Sequence, residues 1–291
     1  GITDVGRDRL VATATTYGDG RAPFYPHLDA DTGSETVSVP TEGYLIEARL
    51  GDERRRVTWA GAEEELTITF GTPVALPDPF ALDVLFLIDT TGSMGDEIAS
   101  VKASLLKVTE SLRGIEREFE LRYGSVLFRD VGDEYVTATH PFTSDLEAFD
   151  SALKSVEARG GGDDPESVNQ GLAQAIGGVD WRDGAAKVVF LIGDAPPHMD
   201  YAGDTWYGQS VRTAVAQGIR VHSVAASGLD GRGTLVWRQI AQFTRGKFIY
   251  IEYGSPGASA ASHGVKGATK SNNLEDILFE QIRDELAQYG R

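Results

Sequence analysis

Two stretches of this chain, residues 82–88 and 187–192, are apolar at nearly every position. A strand with no polar face has no side to offer water, so each must lie in a sheet covered above and below, as parallel sheets are. From residue 81 onward the surrounding sequence supplies that cover. Strand-like runs at 119–128, 135–140, 220–225 and 247–251 alternate with helical patterns at 95–113, 144–158, 165–177, 207–217 and 232–244. A final stretch, 273–289, places Leu274, Ile277, Leu278, Ile282 and Leu286 along one side at helical spacing. The expected fold is α/β, a doubly wound, mostly parallel sheet flanked by helices.

The first part reads differently. Short, partly alternating runs at 36–39, 44–50, 55–59 and 66–70 are divided by clusters of Gly, Asp, Pro and Thr, which suits a small β-rich, sandwich-like module. Pro73, Pro77 and Pro79 mark a linker, so the expected division is a module over 1–78 and an α/β domain over 79–291. Residues 254–272, rich in Gly, Ser and Ala, are expected to form a mobile loop.

Charge and composition narrow the function. The chain carries 27 Lys and Arg against 44 Asp and Glu, a formal charge of −17. Nucleic-acid affinity rests on neutralising phosphates with cationic side chains, so hard cations or basic protein patches are the better partners. There is no cysteine, which removes disulfides, thiolate catalysis and zinc–cysteine sites together. The sequence begins at Gly1 and shows no leader-like segment and no apolar run long enough to span a bilayer.

The residues that could carry chemistry stand at the ends of the two apolar strands. After the first come Asp89, Thr91 and Ser93, an acid and two hydroxyls at every second position. In an open α/β sheet, ligands bind at the carboxyl ends of the strands, where the first turn of the next helix adds donors. Oxygen-only ligation of this kind suits Mg²⁺, Ca²⁺ or Mn²⁺ and not zinc or copper. After the second strand comes Asp194, in Gly193-Asp194-Ala195-Pro196-Pro197-His198, and a sheet that sets the strands side by side brings Asp194 to Asp89. The loop 160–167 offers Asp163, Asp164 and Glu166 as a third contributor. Asp164 before Pro165 also reads as a helix cap followed by a first helical residue, which would leave Asp163, then Glu166, as the ligand. The three glycines Gly160, Gly161 and Gly162 read as a flexible connector, since no Lys accompanies them as a phosphate cradle requires. Asp130, Asp133 and His198 fall toward the same end of the sheet and are candidates for a partner surface. The plainer readings are an acidic hairpin turn for the first two and a structural role for His198.

The pattern Asp89-x-Thr91-x-Ser93 resembles the Asp-x-Ser/Thr-x-Ser signature of the metal-ion-dependent adhesion site in von Willebrand factor type A domains, a Rossmann-like family. The order of elements from 81 to 290 agrees with it. Added to Phe128-Arg129-Asp130-Val131-Gly132-Asp133, Gly160-Gly161-Gly162-Asp163-Asp164-Pro165-Glu166 and the motif ending at His198, the combination looks like a bacterial branch of that family. The resemblance implies that Thr91 and Ser93 contact a cation directly and that Asp89 and Asp194 hold it, often through water. It further implies a position completed by an acidic side chain from a protein partner, no catalysis, and an extracytoplasmic location, periplasmic, cell-surface or secreted.

The chain departs from the best-known members in the third loop, where an acid replaces their usual Thr. A cation better neutralised at home attracts a foreign carboxylate less, which favours as an alternative a metal that only stabilises a surface or secretion assembly. A haloacid-dehalogenase-like phosphotransferase is a further alternative. It would need a second Asp at position 91, which is Thr, and a Lys near a strand end, which is missing.

Overall fold

The computed structural model of the chain describes residues 1–26, 42–61, 63–73, 75, 79–113, 119–162, 164–226, 228–251 and 274–289. The run expected at 36–39 and the loop at 254–272 lie outside the described residues.

The first strands, β1 (Ile2–Asp4), β2 (Arg9–Ala12), β3 (Tyr44–Leu50) and β4 (Glu53–Trp59), form an antiparallel sheet in the order β2-β1-β3-β4. Strands β3 and β4 make a tight hairpin whose turn needs Gly51 at φ 57°, a conformation that costs a residue without a side chain little. The run at 66–70, expected as a strand, joins no ladder among the described residues. Alternation alone cannot supply a neighbour for the backbone groups. Just after it, the amides of Gly71 and Thr72 donate to the Glu53 carboxylate instead.

Beyond β2 the chain runs against the α/β unit. The Thr15 amide donates to Val215 O at 3.0 Å and its hydroxyl to Ala216 O at 2.6 Å. Tyr17, buried, lies under the Arg220 guanidinium, and Asp19 pairs with Arg245 at 2.7 Å.

The large sheet consists of β5 (Phe80–Asp89), β6 (Phe119–Phe128), β7 (Thr137–Thr143), β8 (Ala186–Gly193), β9 (Ile219–Ala225) and β10 (Phe248–Tyr250). Their order is β10-β9-β8-β5-β6-β7, parallel except for the antiparallel β6–β7 hairpin, so the two most apolar strands sit side by side in the middle. The alternation of side chains sorts β5 into two cores. Phe80, Leu82, Val84, Phe86 and Ile88 pack with helices α1 (Ile98–Arg113), α2 (Leu146–Lys154) and α6 (Leu274–Gln288). Leu85 and Leu87 pack with α3 (Val168–Gly177), α4 (Tyr207–Gln217) and α5 (Gly231–Phe243). The fold is thus the α/β arrangement expected.

Two helices start later than their sequence pattern. A short 3₁₀ turn, Gly92–Asp96, precedes α1, and α3 begins at Val168 with Ser167 at its N-cap position. The residues before α3 are held elsewhere: the Glu166 amide donates to Pro196 O, and the His198 amide donates to Glu166 O. Asp164 is therefore not the cap of this helix.

One acid inside the sheet has partners that the sequence did not reveal. Asp83 on β5 is fully buried and sits opposite Arg122 of β6 in register. It accepts from Arg122 Nη2 at 2.8 Å and from Arg182 Nε at 2.9 Å. Burial works against its charge, but the hydrogen bonds from Arg122 and Arg182 hold its carboxyl below the usual range.

Candidate metal centre

Asp89 is the last residue of β5, and parallel pairing on both sides brings it to the carboxyl edge of the sheet, fully buried. Its Oδ1 accepts from the Thr91 amide at 2.9 Å and from Thr91 Oγ1 at 2.7 Å. On the neighbouring strand, Gly193 makes the approach possible: a Cβ there would stand 2.5 Å from that of Asp89. The next residue, Asp194, accepts from Ser93 Oγ at 2.9 Å. The two hydroxyl oxygens of Thr91 and Ser93 lie 3.1 Å apart. With each proton committed to a carboxylate, both oxygens turn lone pairs toward the same space. Asp89, Thr91, Ser93 and Asp194, named from separate stretches, thus form one continuous chain of contacts. Ser93 faces the second motif and does not cap the turn, which has no side-chain cap bond.

The third loop closes on this group through glycine. Gly92 N donates to Gly160 O at 3.0 Å, and Gly161 N donates to Asp133 Oδ2 at 2.9 Å. Gly161 has φ 64°, and a Cβ on it would meet Glu166 Oε1 at 2.4 Å and Thr91 Cβ at 2.8 Å. The loop expected as a flexible connector is tied at both glycines, because only residues without side chains fit between two acids and a threonine. Glu166, 3% exposed, is the third-loop acid that the fold buries here. Asp164 is exposed, and Asp163 lies outside the described residues.

The electrostatics are those of carboxylates forced together. Burial and the charge of Asp194 push Asp89 up to about 7, against the hydrogen bonds from Thr91. Burial, then the charges of Asp89, Asp130, Asp133 and Asp164, push Glu166 up to about 9, and burial raises Asp194. Asp89 Oδ2 and Glu166 Oε2 are buried with no hydrogen-bond partner. Among the described residues no three acidic or imidazole side chains gather closely enough to chelate an ion by themselves. The cradle is instead two carboxylates and two hydroxyls with Glu166 beside them, an all-oxygen donor set with an orphaned buried acceptor, which fits a hard cation.

Two residues expected on a partner surface turn inward. Asp130 is 6% exposed and accepts from Ser167 Oγ at 2.9 Å and Tyr201 OH at 2.8 Å. His198 is 7% exposed, stacks on Tyr201 and meets Asp200 at 2.9 Å through Nδ1. Both belong to the wall of the site because the hairpin and the loop after β8 pack on each other. Asp133 also serves the interior, accepting from the amides of Asp130 and Gly161. Sequence reasoning gave Arg129 no role, although it stands inside the motif 128–133. Its guanidinium is buried and donates to Thr90 O at 3.2 Å and Glu157 O at 2.9 Å.

Comparison with known proteins agrees with this architecture. Residues 83–217 match the von Willebrand factor A domain family. The chain is 30% identical over 136 residues to the alpha-protein kinase vwkA of Dictyostelium discoideum, covering 46% of this chain and 21% of that protein. It is 38% identical over 96 residues to human von Willebrand factor A domain-containing protein 7, covering 33% of this chain and 10% of that protein. It therefore spans about a fifth or less of these relatives. Among solved structures, the pilus adhesin SpaC from Lactobacillus rhamnosus GG aligns with a TM-score of 0.50 at 14% identity, over 74% of this chain and 31% of that one, a likeness of fold. Over Asp83 through Gln217, the stretch that carries the cradle, the chain matches the von Willebrand factor A domain family.

Proposed function

We propose that the domain binds a divalent cation, Mg²⁺, Ca²⁺ or Mn²⁺, in the cradle of Asp89, Thr91, Ser93 and Asp194, and presents it to a protein partner without catalysing a reaction. The observation that carries this is the unbroken chain of contacts joining the ends of β5 and β8, with Asp89 Oδ2 left buried and unpartnered beside it. When bound, the cation supplies the positive charge that these crowded carboxylates lack. The residues themselves orient the oxygens and exclude water from Asp89.

The surroundings suit a binding face. Val131, 54% exposed, and Met199, 52% exposed, are large apolar side chains on the two loops that border the cradle. A partner carboxylate would complete the coordination, and an exported protein would meet such a partner outside the cytoplasm. Among the described residues no helix is long and apolar enough to cross a membrane.

The test is a titration of the metal-free chain with Mg²⁺, Mn²⁺ and Ca²⁺, followed by thermal melting and calorimetry. A saturable rise in Tm that is lost in Asp89→Ala and Ser93→Ala is the expected result, and a flat response to all three ions sinks the reading. A second reading is favoured by Glu166, whose buried carboxylate adds negative charge where a partner's acid would come. There the cation only ties loops together, and both variants would then keep every binding partner while losing the Tm rise.

A further inference from the structure

The hairpin between β6 and β7 touches every loop that carries a candidate ligand, and it does so with side chains that are not themselves in the cradle. Arg129 Nε donates to Thr90 O, between Asp89 and Thr91, while Nη2 donates to Glu157 O, at the start of the third loop. The same guanidinium lies 4.3 Å over the Tyr135 ring, whose hydroxyl shares a 2.9 Å hydrogen bond with Thr90 Oγ1. Asp133 Oδ2 takes the amides of Asp130 and Gly161 together. Gly161 in turn packs on Thr91 and Glu166, and its neighbour Gly160 accepts from Gly92 N. The first and third loops are therefore joined to one another through backbone atoms, and both are anchored to this hairpin.

We propose that Asp133 and Arg129 are positioning residues of the cation site: Asp133 fixes the glycine loop against Thr91, and Arg129 fixes the Asp89–Ser93 loop against Glu157. The proposal rests on the reading of the cradle as a cation site. Its physical basis is that groups behind the ligands, which hold them in one orientation, commonly change metal affinity about 10- to 100-fold when removed. The arrangement also accounts for glycine at both 160 and 161. A Cβ at Gly160 would fall 2.2 Å from Asp133 Oδ1, so the acid reaches the Gly161 amide only past a bare backbone.

The experiment compares the full chain with Asp133→Ala and Asp133→Asn, measuring Mn²⁺ affinity by calorimetry and amide exchange at Gly92 and Gly161 in the metal-free state. Asn keeps an oxygen that can accept both amides but removes the charge, and Ala removes both. Positioning predicts that Ala weakens Mn²⁺ binding about 10-fold or more and speeds exchange at both amides, while Asn stays near wild type in both measurements. Equal loss in Asn and Ala would mean that Asp133 acts only through its charge, and unchanged affinity in Ala would mean no role; either result overturns the proposal. Arg129→Lys keeps the charge but cannot reach Thr90 O and Glu157 O together, so it should speed exchange at the Arg159 amide, which donates to Thr90 O, and weaken Mn²⁺ binding. Wild type that takes up no Mn²⁺ would overturn the cation reading itself, whereas Mn²⁺ uptake indifferent to these variants would overturn the positioning role alone.

Discussion

At Asp89 the proposed cation site sets a carboxyl in surroundings that oppose its charge. Its carboxyl is fully buried, one oxygen has no partner, and its charge is opposed by burial and by Asp194. Replacement by the neutral, nearly isosteric amide should therefore leave the metal-free chain as stable as wild type or raise its Tm by a few degrees, about 2–4 °C per kcal/mol in a domain of this size. The same Asp89→Asn variant should lose the cation-dependent rise. A clear drop in the metal-free Tm would mean that the carboxylate is structurally satisfied. Gly161→Ala acts in the other direction: a residue at φ 64° with Glu166 and Thr91 in its way must displace the loop, so the expected outcome is a smaller cation-induced Tm shift.

Among the elements, β5 carries opposite chemistries at its two ends. Near its start, Asp83 is held by Arg122 and Arg182, and removing the acid as Asp83→Ala takes the ion-pair partner from Arg122 and leaves Arg182 paired with Glu120 alone, which should cost about 3 kcal/mol in denaturant unfolding. The sign of its pH dependence follows from its lowered pKa. The carboxyl binds its proton less readily folded than unfolded, so its contribution is fully present above the unfolded value of about 3.9 and is lost as pH falls through the lower folded value. Acid unfolding of wild type and Asp83→Ala should therefore converge below that range and diverge above it. Helix α6 is the other element with a measurable stake: Leu278 is fully buried in the core that α6 shares with α1 and β8, and Leu278→Ala should cost about 2–5 kcal/mol by leaving a cavity.

For the whole molecule, the separation of those two ends is itself a prediction. Asp83 and Asp89 are six residues apart on one strand, about 20 Å at the usual rise of a strand, and they share no partner. Distant sites without shared partners combine additively. The Asp83→Ala chain should accordingly melt at a lower temperature yet gain the same stabilisation from the cation, about 2.7 kcal/mol at a hundred times the Kd. A cation effect that shrank with Asp83→Ala would show the sheet transmitting strain between its ends. The first residues are likewise tied into the α/β unit, since Tyr17 stacks under Arg220, which pairs with Glu285 of α6 at 2.6 Å.

What the sequence determined by itself was whatever local pattern can encode. Almost wholly apolar runs required a sheet covered on both faces, helical spacing located the covering helices, and acids at the ends of two such runs marked the cradle before any contact was known. Strand adjacency was the one long-range assumption, and the pairing of β5 with β8 supplied it. The tertiary structure alone decided the rest, because those features depend on neighbours far away in the chain. It turned Asp130 and His198 into the wall, and it gave Asp164 no helix to cap once the backbone at Glu166 had been taken up by Pro196 and His198. It left 66–70 without a ladder among the described residues, buried Asp83 between two arginines, and drew Arg129 and Asp133 behind the loops of the cradle. An acid's neighbours fix whether it is a ligand, a support or a salt bridge, and position in the chain carries no record of neighbours that only folding brings together.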